Sequence, residues 1–407
     1  MSLPVPRSSA PVAPTRAASG ASTLPTPREA VEEAVALARA GLAGAEPRLA
    51  LIFSSPKLPA RAVLDAARRL LPGCEVALSQ TAGELTERGL SRGGLALLLV
   101  AGGRMLVESR FAAGLEKAPA QVARALCAGF ADQAERALAA GLPCSTTIAL
   151  VDGLSGQGDR LVEELLKLTR RFQPVVGGAA GDDAAFKATS VGAQGGCGTD
   201  GAAAIHLFHQ RPFGIGVAHG LRPRTPRMEV TRSSGNVIQE IDGKPAFEAY
   251  RSYAASRGIT LEPARAGDFL IANELGVFFL DELHHARAPV GVGPAGELKL
   301  VAQVPVGASV CILDGEPPEM VAACRRAAEE ARAGLGDTPC AGVLLFDCVC
   351  RGILLGDGFD SEIEAVRSVF PGTPIAGFLT YGEIARFRGR LDGWHNTTVV
   401  VVAIPAA

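Results

Sequence analysis

The sequence predicts an α/β fold: two domains, mixed sheets, and repeated strand-helix-strand units joined by Gly-rich turns. Three observations carry that expectation. Short, uniformly apolar runs alternate with amphipathic helical stretches, a glycine-rich turn follows the second strand of each unit, and three copies of the unit keep a nearly constant distance from first strand to glycine turn.

In chain order, residues 1–27 are rich in Pro, Ala and Ser without periodicity, and are expected to form a disordered tail. A helix is expected over 29–42, where Val31, Ala34, Val35 and Ala38 recur at three- and four-residue steps and Gly41 ends the pattern. The first unit is a strand at 49–53, a helix at 60–71, a strand at 74–78, the turn 79–84 and a further strand at 94–101. The second is a strand at 146–152, a helix at 158–172, a strand at 174–176, the turn 177–183 and a strand at 201–209. The third is a strand at 341–346, a helix at 360–370, a strand at 374–376, the turn 377–383 and a strand at 397–404. Phe53 to Gly83 is 30 residues, Val151 to Gly181 is 30 and Phe346 to Gly377 is 31, a recurrence that reads as three related lobes. Between the second and third units, 219–243 and 297–313 suggest antiparallel strands, with a helix over 244–258 and another over 317–333. The change of pattern at 242–245 suggests a domain boundary, giving a first domain over 28–243 and a second over 244–407.

Forty Lys+Arg against 42 Asp+Glu leave a net charge of −2, so no global field recruits nucleic acid or an anionic membrane. The longest apolar run, 95–101, is far short of the ~20 residues a membrane helix needs. Nine cysteines, odd in number and scattered, suit reduced thiols in a cytoplasm better than a disulfide framework.

The turns carry the most chemistry. A turn after a parallel strand lies at the carboxyl edge of a sheet, where open α/β folds bind ligands, and glycine lets backbone N–H groups approach an anion. The same glycines would also serve tight turns alone. No turn has the Lys-Ser/Thr ending of a phosphate-binding P-loop. Glu84, Asp182, Asp183 and Glu383 end similar turns and would either receive a ligand ammonium or cap the next element. Thr380 and Tyr381 place two hydroxyls in one turn. Cys348 and Cys350 fall on one face of a strand and read as a ligand-side thiol pair or as small buried apolar groups, and no metal site is expected from them. Arg351, at that strand's end, would bind a ligand carboxylate bidentately or pair with Asp347 or Glu383. His206 and His209 point to opposite faces of a strand, and His284-His285 suggests an exposed polar turn.

Several stretches together resemble the FIST sensory proteins: Phe53, Ser79-Gln-Thr-Ala-Gly-Glu84, Asp152-Gly-Leu-Ser155, Val176 to Asp183, His219-Gly-Leu-Arg-Pro223, Asp242-Gly-Lys-Pro-Ala246, Phe346 to Arg351, Gly377 to Ile384 and Asn396-Thr397. The resemblance spans about 48–400 and implies a FIST N-terminal domain followed by a FIST C-terminal domain. It further implies a cytoplasmic, non-enzymatic sensor of a small ligand, an amino acid being one candidate, that signals through a partner protein in trans. No cofactor is expected. On this reading the ligand site comprises Ser79, Thr81, Gly83, Glu84, Asp152, Gly177, Gly178, Gly181, Asp182, Asp183, Cys348, Arg351, Gly377, Thr380, Tyr381, Gly382, Glu383 and Asn396, with at least two turns lining one cavity. Two alternatives stay open. Haem-binding members would make this a gas sensor with His219 as axial ligand, and a hydrolase or transferase would use Cys348 or the acidic turns.

Overall fold

Strands as uniformly apolar as Leu95–Ala101 need cover on both faces, and each of the three expected units finds it the same way. The computed structural model describes residues 13–169, 173–279, 282–386 and 393–406. Within them, each unit forms a lobe whose sheet has the strand order edge, last, central, third. In the first lobe these are Arg16–Ser22, Leu95–Ala101, Pro47–Ser54 and Glu75–Gln80. In the second they are Met105–Ala113, Gly201–His209, Cys144–Val151 and Val175–Ala179. In the third they are Gly214–Ala218, Val399–Pro405, Cys340–Cys348 and Ile375–Thr380. The central and third strands run parallel in every lobe, and the other pairings are antiparallel.

The lobes are tied together by exchange. The hairpin that follows the first lobe's turn, Glu84–Thr86 with Gly89–Ser91, extends the third lobe's sheet. The second lobe's hairpin, Val191–Ala193 with Gly196–Gly198, extends the first, and the third lobe's, Glu383–Arg386 with Trp394–His395, extends the second. Three sheets thus close a ring in which each lobe completes another.

Inner sheet faces meet in one core, where Phe53 stacks on Phe378 at 5.0 Å and Phe346 meets both rings edge-on. Burying each such side chain contributes about 1.5–3 kcal/mol. Outer faces are covered by helices: Pro27–Gly41 and Ala60–Leu70 on the first lobe, Pro119–Leu126 and Gly158–Leu168 on the second, Pro317–Gly334 and Asp360–Val369 on the third. Gly177 and Gly377 occupy matching places on their strands. A Cβ at either would collide with a carbonyl of the adjacent central strand, Ala149 or Leu345. Both glycines permit close strand approach.

The long insert, between the edge strand and first helix of the third lobe, is a nine-stranded sheet spanning Arg222–Pro223 to Ser309–Asp314 with its own core around Tyr250, Phe247 and Ile312. The expected 243/244 boundary falls inside this sheet, because Val237–Ile241 pairs with Lys244–Pro245.

Four expectations need correction. Residues 16–22, assigned to the disordered tail, form the first lobe's edge strand, because Gly20 lies directly on the Ala34 carbonyl of the helix that follows and no larger residue would fit; residues 1–12 lie outside the described residues. Cys350 and Arg351 do not continue a strand: it ends at Cys348, and Val349–Leu355 is helical. His285 is in a strand, Glu282–Arg287, and is buried instead of in an exposed turn. The helix expected over 158–172 is Gly158–Leu168, and the last three expected positions lie outside the described residues.

Candidate functional site

The three glycine turns do converge, and they do so on each other. Leu379 N–H donates to Gly83 O at 2.9 Å and Ala82 N–H to Leu379 O at 3.0 Å. Gly181 N–H donates to Gln80 O at 3.0 Å, Tyr381 N–H to Ala179 O at 3.0 Å and Ala179 N–H to Gly382 O at 2.7 Å. Backbone amides that would have cradled an anion are therefore committed to neighbouring turns. A Cβ on Gly181 would meet Ala82, and one on Gly178 would meet Thr380, so these glycines serve turn-to-turn contact.

The turn acids are latches. Thr81 hydroxyl donates to Glu84 at 2.6 Å while Gly94 N–H donates to its other oxygen at 3.2 Å. Thr380 hydroxyl and Thr398 N–H treat Glu383 identically, at 2.5 and 3.0 Å. Each carboxyl ties its turn to the residue before the last strand. In the second lobe Asp152 takes that role, accepting from Asp200 N–H at 2.5 Å and from Thr189 hydroxyl at 2.5 Å. Burial pushes Glu84 up to about 7 and raises Glu383 too, with Cys348 adding to the latter. Asp182 goes the other way. Burial would raise it, but the Tyr381 hydroxyl and the N–H groups of Phe186, Lys187 and Ala188 hold it below its ordinary value. Tyr381 lies stacked against Phe186 at 4.5 Å. Asp183 accepts from Ser55 hydroxyl at 2.8 Å, and Ser79 hydroxyl donates to Gln80 O at 2.9 Å.

Arg351 is matched within the core. It is wholly buried, donates to the carbonyls of His219 at 2.6 Å and Met320 at 3.0 Å, pairs with Glu362 and lies 3.0 Å from Asp347. A guanidinium removed from water needs its charge and donors matched, and the protein matches them without a ligand. Cys348 is buried against Cys350 and Glu383, and burial raises its thiol well above the ordinary range, opposite to an activated nucleophile. His219 Nδ1 accepts from Leu221 N–H at 2.9 Å. Asn396 Oδ1 accepts from Ala288 N–H at 3.5 Å, and so joins the core to the insert.

A different place is open. Between the Gly158–Leu168 helix of the second lobe and the insert lies a cleft of about 760 Å³, lined by Asp159, Arg160, Glu163, Lys167, Ser233, His285, Arg287, Gln303, Arg386 and Trp394 among others. Trp394 comes from the exchanged third-lobe hairpin, so three separate parts of the chain build it. The indole lies on Gly158 and Gly382, where a Cβ on either would overlap the ring. Arg287 Nη1 donates to Trp394 O at 2.9 Å and to Ala286 O at 3.2 Å. Burial pulls Arg287 down to about 10, against the pull of Asp159 and Glu274. Glu274, behind it, is pushed by burial up to about 8 and accepts from the Thr397 hydroxyl.

Two donors here are unmatched. Arg287 Nε and Trp394 Nε1 are buried at the cleft wall with no hydrogen-bond partner among the described residues. Each orphan costs about 1–3 kcal/mol, and both are N–H groups suited to an acceptor oxygen. Sequence reasoning missed Arg160, Lys167, His285, Arg287 and Trp394 as site residues. The one usable signal was that Trp394 is the single tryptophan of the chain.

Comparison with known proteins agrees with this architecture. The chain matches the FIST N domain over residues 48–244 and the FIST C domain over residues 246–386. An uncharacterised protein of Mycobacterium tuberculosis strain H37Rv is 28% identical over 398 residues, covering 91% of this chain and 94% of the relative. An uncharacterised protein of Mycobacterium bovis is 27% identical over 202 residues, covering 47% of this chain and 50% of that one. The chain belongs to the FIST family.

Proposed function

Taking the chain as a FIST protein, we propose that it is a non-enzymatic sensor that binds a small metabolite in the cleft between the Gly158–Leu168 helix and the insert. The buried Arg287 carries this reading: its hydrogen bonds among the described residues go to two backbone carbonyls, so a desolvated guanidinium borders an opening wide enough for an anionic ligand. An amino acid suits the lining, with its carboxylate at Arg287 and its ammonium at Asp159 or Glu163. No cofactor takes part.

The cleft spans a joint. Asp159 accepts from Gln303 N–H at 3.4 Å across it, and Arg287 reaches back to the Trp394 carbonyl. A ligand held by both walls shifts the insert relative to the lobes, which is how occupancy reaches a signalling partner in trans. That all nine cysteines are free supports a reducing, cytoplasmic setting.

Thermal unfolding against a panel of amino acids and small carboxylates tests the proposal. A ligand at 100 times Kd adds about 2.7 kcal/mol of stability. Arg287→Gln is expected to abolish that gain. A stabilising ligand whose effect survives Arg287→Gln and Trp394→Phe would place the site elsewhere and overturn the assignment.

A further inference from the structure

Independently of the cleft, we propose that Cys348 and Cys350 form a two-electron redox site: a small neutral hydroperoxide closes them into an internal disulfide, and closure loosens the grip of Arg351 on the stem of the insert. The pair stands where strand Cys340–Cys348 passes into helix Val349–Leu355. Two residues of extended chain span at most about 7 Å, and the helical turn at Val349 shortens that, which brings the two Cα atoms within reach of a disulfide. The thiols already lie against one another. Their settings differ. Cys348 is buried, with the Glu383 carboxyl against it and Glu274 close by, surroundings that oppose a thiolate. Cys350 is half-buried and is the member of the pair that meets solvent.

Oxidation therefore starts at Cys350. Its sulfur takes one oxygen of the hydroperoxide as the O–O bond breaks, giving a sulfenic acid and releasing an alcohol, or water from hydrogen peroxide. The Cys348 sulfur then attacks the sulfenic sulfur. The S–S bond forms, the S–O bond breaks, and the hydroxyl leaves as water with the Cys348 proton. Two thiols give up two electrons and two protons, and the peroxide is reduced. Glu383 and Glu274 disfavour an anionic oxidant such as a glutathione disulfide, whereas a neutral peroxide is indifferent to them. Arg351 follows Cys350 in the same helical turn and donates to the carbonyls of His219 at 2.6 Å and Met320 at 3.0 Å. His219 lies between the third lobe's edge strand, Gly214–Ala218, and the start of the insert at Arg222. Disulfide torsions are narrowly defined, so closing so small a ring turns the backbone at Val349 and works against both of those hydrogen bonds.

The test treats the full chain with hydrogen peroxide, blocks remaining thiols with iodoacetamide and digests with trypsin. Cleavage after Arg332 and Arg351 yields one peptide, 333–351, that holds Cys340, Cys348 and Cys350. Mass spectrometry is expected to find that peptide two hydrogens lighter, with Cys340 alkylated and the other two joined, and dithiothreitol is expected to reverse the change. The melting temperature should fall on oxidation, recover with dithiothreitol and lose this response in Cys350→Ser. Cys350 recovered only as the alkylated thiol, as a sulfinic acid, or joined to a cysteine other than Cys348 overturns the site. A Cys348–Cys350 disulfide with an unmoved melting temperature overturns the link to Arg351 and the insert.

Discussion

The three turns on the lobe axis and the cleft beside the insert hold the same kinds of side chain, acids and arginines with little access to water, yet they treat them in opposite ways. On the axis the chief charges are answered from within, Glu84 and Glu383 by a threonine and a backbone amide and Arg351 by Glu362 and two carbonyls, while Asp183 and Asp347 keep carboxylate oxygens with no hydrogen bond among the described residues. In the cleft, Arg287 and Trp394 each keep an unanswered N–H. Buried polar groups are normally satisfied, so the largely closed cluster on the axis works as scaffold, and the open cleft is where the ligand site is proposed.

Breaking the axis has the largest expected effect. Arg351→Lys cannot reproduce the fork that serves Glu362, His219 and Met320 together, and it leaves buried carboxyls partly uncompensated. Urea unfolding should show a loss of about 3–5 kcal/mol. An unchanged midpoint together with weakened ligand binding would return Arg351 to the ligand site and dissolve the contrast.

Glu274, which lies behind Arg287, sharpens it next. Its carboxyl sits at about 8 in the fold against an ordinary 4.5, so its contribution is fully present below pH 4.5 and is lost as pH rises through 8. His206, His209 and His219 are depressed to about 4 by burial, so their contribution is present above pH 6.5 and lost as pH falls through 4. Comparing wild type with Glu274→Gln cancels the histidines. The stability difference between the two proteins should change by about 2–4 kcal/mol from pH 5 to pH 8, wild type losing ground as pH rises. A difference flat across that range would mean that Glu274 is ionised throughout.

The smallest effect is expected at the rim. Arg160→Ala and Lys167→Ala remove exposed side chains and should move the unfolding midpoint by no more than about 0.5 kcal/mol. A larger loss would make the helix cations part of the scaffold.

Much of this was legible in advance. Uniform apolar runs, each followed by a glycine turn about 30 residues on, announced three lobes because strands covered on both faces require that composition. The Thr-x-Gly-Glu turns were rightly singled out as built features. Their role stayed open because a threonine three residues before a glutamate looks the same whether the carboxylate awaits a ligand or closes on its own turn.

The sequence by itself determined the element types, the threefold recurrence, the near-neutral charge and the long stretch of different pattern between the second and third repeated units, since these depend on local periodicity and composition. Tertiary structure alone decided which hairpin completes which sheet, that the tail segment Arg16–Ser22 becomes an edge strand, and that Arg287, Trp394 and the Gly158–Leu168 helix share one cleft. Those outcomes turn on contacts between residues more than seventy positions apart. Whether a buried donor finds an acceptor depends on which distant segment arrives beside it, and no local pattern records that.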